Sequence, residues 1–108
     1  MSDEHLYRAE SVVKTAKNIS AVKKVELVDL LSRLKSAIGD VSQTHAEDAR
    51  SVARLAEASA REATLKRPNQ LEKALHELKQ SVEKFEASHP DLVITVNEFA
   101  TLLAEMGI

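Results

Sequence analysis

Residues 69–85 read NQLEKALHELKQSVEKF, and this stretch decides the fold class. Leu71, Ala74, Leu75, Leu78, Val82 and Phe85 recur at three- and four-residue steps, the spacing that lines one face of an α-helix. A half-buried strand would alternate every second residue instead. Asn69-Gln70-Leu71-Glu72 resembles a capping box that opens the helix. Its polar side carries Lys73 with Glu77 and Lys79 with Glu83 at i,i+4 spacing, pairs that contribute only about 0.2–0.5 kcal/mol each. Packing of the apolar stripe must supply the rest.

The same reading extends upstream. Arg67-Pro68 ends the preceding helix, because the residue before proline is pushed out of helical geometry. That helix starts at a capping box, Thr44-His45-Ala46-Glu47, and runs to about Lys66. Ala49, Val52, Ala53, Ala56, Ala60 and Ala63 share one face, a flat methyl surface that a neighbour can approach closely. A second helix spans about 21–38, with Leu27, Leu30, Leu31, Leu34 and Ile38 as its stripe and Gly39 as its left-handed stop. Asn18-Ile19-Ser20 is a short break in which Ser20 caps that helix. The first helix covers Asp3 to about Lys17 on Leu6, Ala9, Val12, Val13 and Ala16, with Ser2 or Asp3 as cap.

Downstream, Ser88-His89-Pro90-Asp91 breaks the chain, and Pro90 suits a first helical turn. Leu92, Val93, Val96, Phe99, Ala100, Leu102, Leu103 and Met106 then cover almost half of a fifth helix. Gly107 is placed to cap it, with Ile108 folding back on the last turn. A helix this apolar is either central to a bundle or buried by a partner. The expected fold is an all-α bundle of about five helices, forming one domain over residues 1–108.

Composition agrees with this. The chain of 108 residues is 44% hydrophobic and 30% charged with net charge −2, and has two glycines and two prolines. That leaves few of the turns that sheets require, and the net charge is too small for a disordered chain. Cysteine is absent, so there is no disulfide framework, thiolate zinc site or cysteine nucleophile. The N-terminus lacks a secretory pattern, and no apolar run approaches the roughly 18 residues of a membrane span. A soluble cytoplasmic protein is expected.

The chemistry-bearing residues form no recognisable active-site motif. His5, His45, His76 and His89 are far apart in sequence. Only His76, one turn after Glu72, has a metal-ligand spacing, and zinc needs three or four converging ligands. A solvated histidine beside a carboxylate explains the pair. There is no nucleophile elbow and no phosphate-cradling glycine loop. Glu47-Asp48 lies in a first turn, where negative charge suits the helix dipole. Arg50, Arg54, Arg61 and Arg67 run along helix three with Glu57 and Glu62 between them. The net negative charge favours a solvated face there over a phosphate-binding one. Tyr7, Phe85 and Phe99 are the only aromatic residues, and Phe85 and Phe99 fall on apolar stripes.

The segment Glu83-Lys84-Phe85-Glu86-Ala87-Ser88-His89-Pro90-Asp91-Leu92, with Asn97 and the ending Glu105-Met106-Gly107-Ile108, resembles a known pattern. It is similar to the C-terminal part of a family of small bacterial helical proteins classed as a domain of unknown function. Those proteins end in a Phe-Glu-x-x-His-Pro turn, a last apolar helix and Gly-Ile. The likeness covers roughly the last third of the chain, from Leu71 onward, and helix two is similar to the family's leucine-rich helix. The alanine-rich segment from Thr44 to Arg67 departs from that pattern. The resemblance implies a bacterial source and a helical fold, and brings no activity.

The function expected is therefore a non-enzymatic interaction or self-association module without a cofactor. Its surface would be drawn from helix five: Val93, Ile94, Val96, Phe99, Leu102, Leu103 and Met106. A homodimer is as much expected as a monomer, and no membrane partner is. The alternatives are a small-ligand or metal-binding bundle using Glu72 and His76, and, ranked last, a nucleic-acid-associated protein using the helix-three arginines.

Overall fold

The computed structural model describes residues 4–107. It holds five α-helices: α1 (Glu4–Thr15), α2 (Ala21–Ser42), α3 (Ala46–Thr64), α4 (Pro68–Val82) and α5 (Pro90–Gly107). A single 3-10 turn, Glu83–Phe85, follows α4, and no strand occurs among the described residues. The expected cap at Ser2 or Asp3 and the fold-back of Ile108 lie outside the described residues.

Where the local signals agree with burial, the expected boundaries appear. Ser20 accepts the Lys23 N–H on its side chain at 3.2 Å and starts α2. Leu27, Leu30, Leu31, Leu34 and Ile38 all face the core. Gly39 does not end this helix, which continues to Ser42. The extra turn buries Val41 completely. Burying a valine is worth about 1.5–3 kcal/mol, which exceeds the roughly 1 kcal/mol cost of a helical glycine. Ser42 then donates its hydroxyl to the Gly39 carbonyl at 2.7 Å.

Two expected capping boxes do not form. The N-cap of α3 is His45, without a side-chain cap bond, while the Thr44 hydroxyl sits 2.8 Å from its imidazole Nδ1. The Val41 carbonyl accepts the backbone N–H of Thr44 and of His45 at 3.2 and 2.8 Å. That turn uses Thr44 to leave α2, so it cannot also cap α3. At α4, Pro68 occupies the first helical turn and Asn69 lies inside the helix. Proline's fixed φ suits that place and has no N–H to satisfy, which moves the boundary ahead of Asn69. The pairs Lys73–Glu77 and Lys79–Glu83 do not form either. The i,i+4 pairs among the described residues are Glu4–Arg8, Glu10–Lys14 and Glu57–Arg61. Each places the acid first, the orientation favoured by the helix dipole.

The short connections make successive helices antiparallel. Arg33–Glu98 at 2.9 Å and Lys23–Glu105 at 3.8 Å tie α2 to α5 in opposite directions. Lys84, in the 3-10 turn that follows α4, reaches Asp48 in the first turn of α3 at 3.0 Å. The alanine-lined α3 packs against all four other helices, whereas α1 touches neither α4 nor α5 and α2 does not touch α4. Ala49, Val52, Ala53, Ala56, Ala60 and Ala63 are all buried, so neighbours reach α3 without long side chains intervening. Only the side of α3 between α1 and α4 stays open.

α1, α3 and α5 run the same way and end together. Asn18 Nδ2 donates to the Thr64 carbonyl at 3.1 Å, Lys24 Nζ to the Lys14 carbonyl at 3.0 Å, and Lys66 Nζ to the Met106 carbonyl at 2.6 Å. Carbonyls in the last turn lack helical partners, and each of these three helix ends receives a donor from another element.

Candidate functional site

α5 is the first place where the expected surface and the observed one part company. Val96, Phe99 and Leu103 are fully buried and Leu102 nearly so. Val93 and Met106 are half-buried against the same core. α5 packs on α2, α3 and α4, so its broad apolar arc is filled by helices of its own chain. Of the seven residues expected to form an interaction surface, Ile94 alone stands out, 54% exposed. It borders an open depression with Arg33, Asp40 and Asp91. The large apolar side chains exposed elsewhere include Val22 and Val25, one turn apart on the outer face of α2.

Glu72 and His76 line a groove of about 390 Å³ between α4 and the end of α5, floored by Leu71, Leu75 and Ala104 and edged by Lys79. Among the described residues no three histidine or carboxylate side chains converge as metal ligands. Glu72 and His76 therefore have no third donor, and the groove is apolar with a mixed-charge rim.

The turn between α4 and α5 places two imidazoles on one ring. His45 meets the buried Phe85 edge-on, with centroids 5.2 Å apart, and His89 lies tilted at 5.7 Å. The His89 N–H bonds the Phe85 carbonyl at 2.8 Å, and its own carbonyl accepts the Leu92 N–H at 3.1 Å. Phe-Glu-x-x-His-Pro thus closes one helix and opens the next.

The most organised polar group lies on the open side of α3. Glu57 is buried, and its carboxylate meets three partners. His5 Nδ1 lies 2.8 Å from Oε1, while Arg8 Nε and Arg61 Nη2 donate to Oε2 at 3.0 and 2.8 Å. Burial pushes the Glu57 carboxyl up, but the hydrogen bonds from His5, Arg61 and Arg8 outweigh it, so the group titrates below its usual range. Sequence reasoning treated Glu57 only as an interruption of the arginine stripe. Its position four residues after Ala53 and three before Ala60 was the available sign that it borders the alanine face.

The arginines along this side are not equivalent. Arg61 serves Glu57, and Arg67 sits 3.7 Å from Glu62. Arg50 and Arg54 are exposed and form no ion pair or hydrogen bond among the described residues. At the far end of α1, Val12, Thr15, Ala16, Lys17 and Asn18 enclose an open hollow against Thr64 of α3. This face is an uncovered strip of α3 that carries Arg50, Arg54 and Arg61 beside Arg8 of α1. Its buried carboxylate, Glu57, titrates below the usual range because its three partners outweigh burial.

No helix among the described residues is long and apolar enough to cross a membrane. No curated protein and no solved structure matches the chain. A family model does match, and it reaches further upstream than the C-terminal third, taking in the alanine-rich α3 as well. α1 and the first six residues of α2 precede the matched stretch. With residues 27–108 matched, the chain belongs to the family described as Domain of unknown function (DUF4404).

Proposed function

We propose that this protein is a non-enzymatic interaction module of the bacterial cytoplasm, which docks a protein partner on the open side of α3. The observation that carries the reading is the uncovered strip of the central helix. Every other side of α3 is packed by its own chain, yet this side displays Arg50 and Arg54 with no internal partner. Surface charges with no internal partner govern encounter and specificity more than folding. A homodimer is a second form of the same reading, with Val22, Val25 and Ile94 as its exposed apolar contacts. Affinity capture of the tagged chain from its host, followed by light scattering, tests both. A stoichiometric partner or a dimer mass supports an interaction role, and a strictly monomeric, partnerless chain overturns it.

The groove beside Leu71, Leu75 and His76 supports a second reading as a small-ligand site. Its volume of about 390 Å³ falls within the usual range of ligand pockets. A thermal-shift screen combined with elemental analysis tests it, and neither a stabilising compound nor a co-purifying metal would retire it.

A further inference from the structure

We propose that the open side of α3 is a cleft for an acidic, amphipathic helix of another protein, seated between α1 and α4 with its carboxylates on Arg50, Arg54, Arg61 and Arg8. The inference rests on the interaction reading above and names the chemistry of the partner.

Shape comes first. α1 and α4 flank α3 and do not touch each other. Packed helices lie about 8–10 Å apart, so two helices flanking a third leave a channel whose natural occupant is another helix. Ala58, part-exposed on α3, gives that channel a small-residue floor. Val12, facing Thr64 at the end of α1, adds an apolar wall.

Charge comes second. Arg50 and Arg54 stand at i,i+4, where like charges repel and destabilise a helix, and no ion pair or hydrogen bond among the described residues engages either. Arg8 and Arg61 are about half exposed although both bind Glu57. A guanidinium has five N–H donors in a planar fork, so both keep donors for an outside carboxylate. The exposed Lys17 has no ion-pair partner either. Most acids nearby already face a cation: Glu57 is buried among its three partners, Glu4 lies 3.8 Å from Arg8 and Glu62 3.7 Å from Arg67, which leaves the exposed Glu47, one turn before Arg50, against four arginines. The cleft is therefore cationic on a chain whose net charge is −2.

A nucleic acid is the weaker occupant. Single strands need aromatic platforms, whereas Phe85 and Phe99 are buried and Tyr7 lies under the Lys35 ammonium, on the side of α1 facing α2.

The test is an amide-resolved NMR titration of the full chain. The probe is an alanine-based helical peptide of about 18 residues with glutamates at i, i+4 and i+11, the spacing of Arg50, Arg54 and Arg61. Saturable shifts at low salt, confined to α3 around Arg50–Arg61 and to the adjoining sides of α1 and α4, are expected. Arg50→Glu/Arg54→Glu should weaken binding at least about tenfold and restore it toward the same peptide with lysines, while Arg50→Lys/Arg54→Lys keeps it. The absence of saturable shifts, shifts elsewhere, equal binding of a glutamate-scrambled peptide, or tighter binding of a DNA duplex each overturns the proposal. If the glutamate variant still captures a host partner, the interaction reading stands and its assignment to this cleft fails. If neither form captures anything, the interaction reading fails as well.

Discussion

The Lys66 ammonium donates to the Met106 carbonyl at 2.6 Å, and the residue that makes this bond is itself in the left-handed region, at φ 57. Lys66 ends α3 in a Schellman turn, in which the Arg67 N–H bonds the Glu62 carbonyl and the Lys66 N–H bonds the Ala63 carbonyl. Glycine is the usual residue there, since left-handed backbone costs other residues roughly 1–2 kcal/mol. Here the side chain offsets part of that cost by capping α5 across the bundle. Lys66→Ala keeps the backbone strain and loses the cap, whereas Lys66→Gly loses the cap and relieves the strain. In urea denaturation the glycine variant should be the more stable of the two by about 1 kcal/mol. Equal midpoints would show that the strain is not real.

Glu57 makes stability depend on acid. Its carboxyl is depressed in the folded state by His5, Arg61 and Arg8, against the opposing effect of burial. A group depressed on folding contributes stability above its unfolded value and loses it as pH falls through its folded value. The urea midpoint should therefore drop as pH is lowered through the carboxylate range, and Glu57→Gln should flatten that slope. The loss should fall first on α1, because two of the three partners, His5 and Arg8, stand on it. Protection factors of α1 amides that are insensitive to both pH and the substitution would contradict this.

Capping gives the sharpest comparison between neighbouring sites. Ser20→Ala should cost about 1 kcal/mol, because the Ser20 oxygen accepts the Lys23 N–H. Thr44→Ala should cost less than about 0.5 kcal/mol, since Thr44 caps nothing and meets only the His45 ring. Chevron or equilibrium denaturation distinguishes the two, and a large Thr44 effect would restore the capping box.

That pair of sites also shows why much of the fold was legible and some of it was not. Periodicity fixed the five helices, because the apolar stripes of α2 and α4 are long and each face meets one core. The helix ends at Gly39, Thr44 and Asn69 were misplaced because they depend on tertiary terms. Val41 needs burial, the Val41 carbonyl closes a turn, and Pro68 takes the first helical turn ahead of Asn69. The binding face was less legible still. The arginines of α3 were visible as residues, but whether they stand free depends on which side of α3 its neighbours cover. No local pattern encodes that α1 and α4 fail to meet.

α5 supplies the last prediction, because its composition fits either a core helix or a docking helix. Phe99 and Ile94 lie on opposite sides of that choice, one fully buried and one 54% exposed. Phe99→Ala removes a ring from the contact of α5 with the core and should cost about 3–5 kcal/mol. Ile94→Glu should change stability by no more than about 0.5 kcal/mol. If Ile94 joins Val22 and Val25 in holding a dimer, Ile94→Glu lowers the mass measured by light scattering while the thermal midpoint at low concentration stays put. A core role for Ile94 would instead lower the midpoint and leave the mass unchanged. The two instruments thus separate a helix that folds the chain from one that joins two chains.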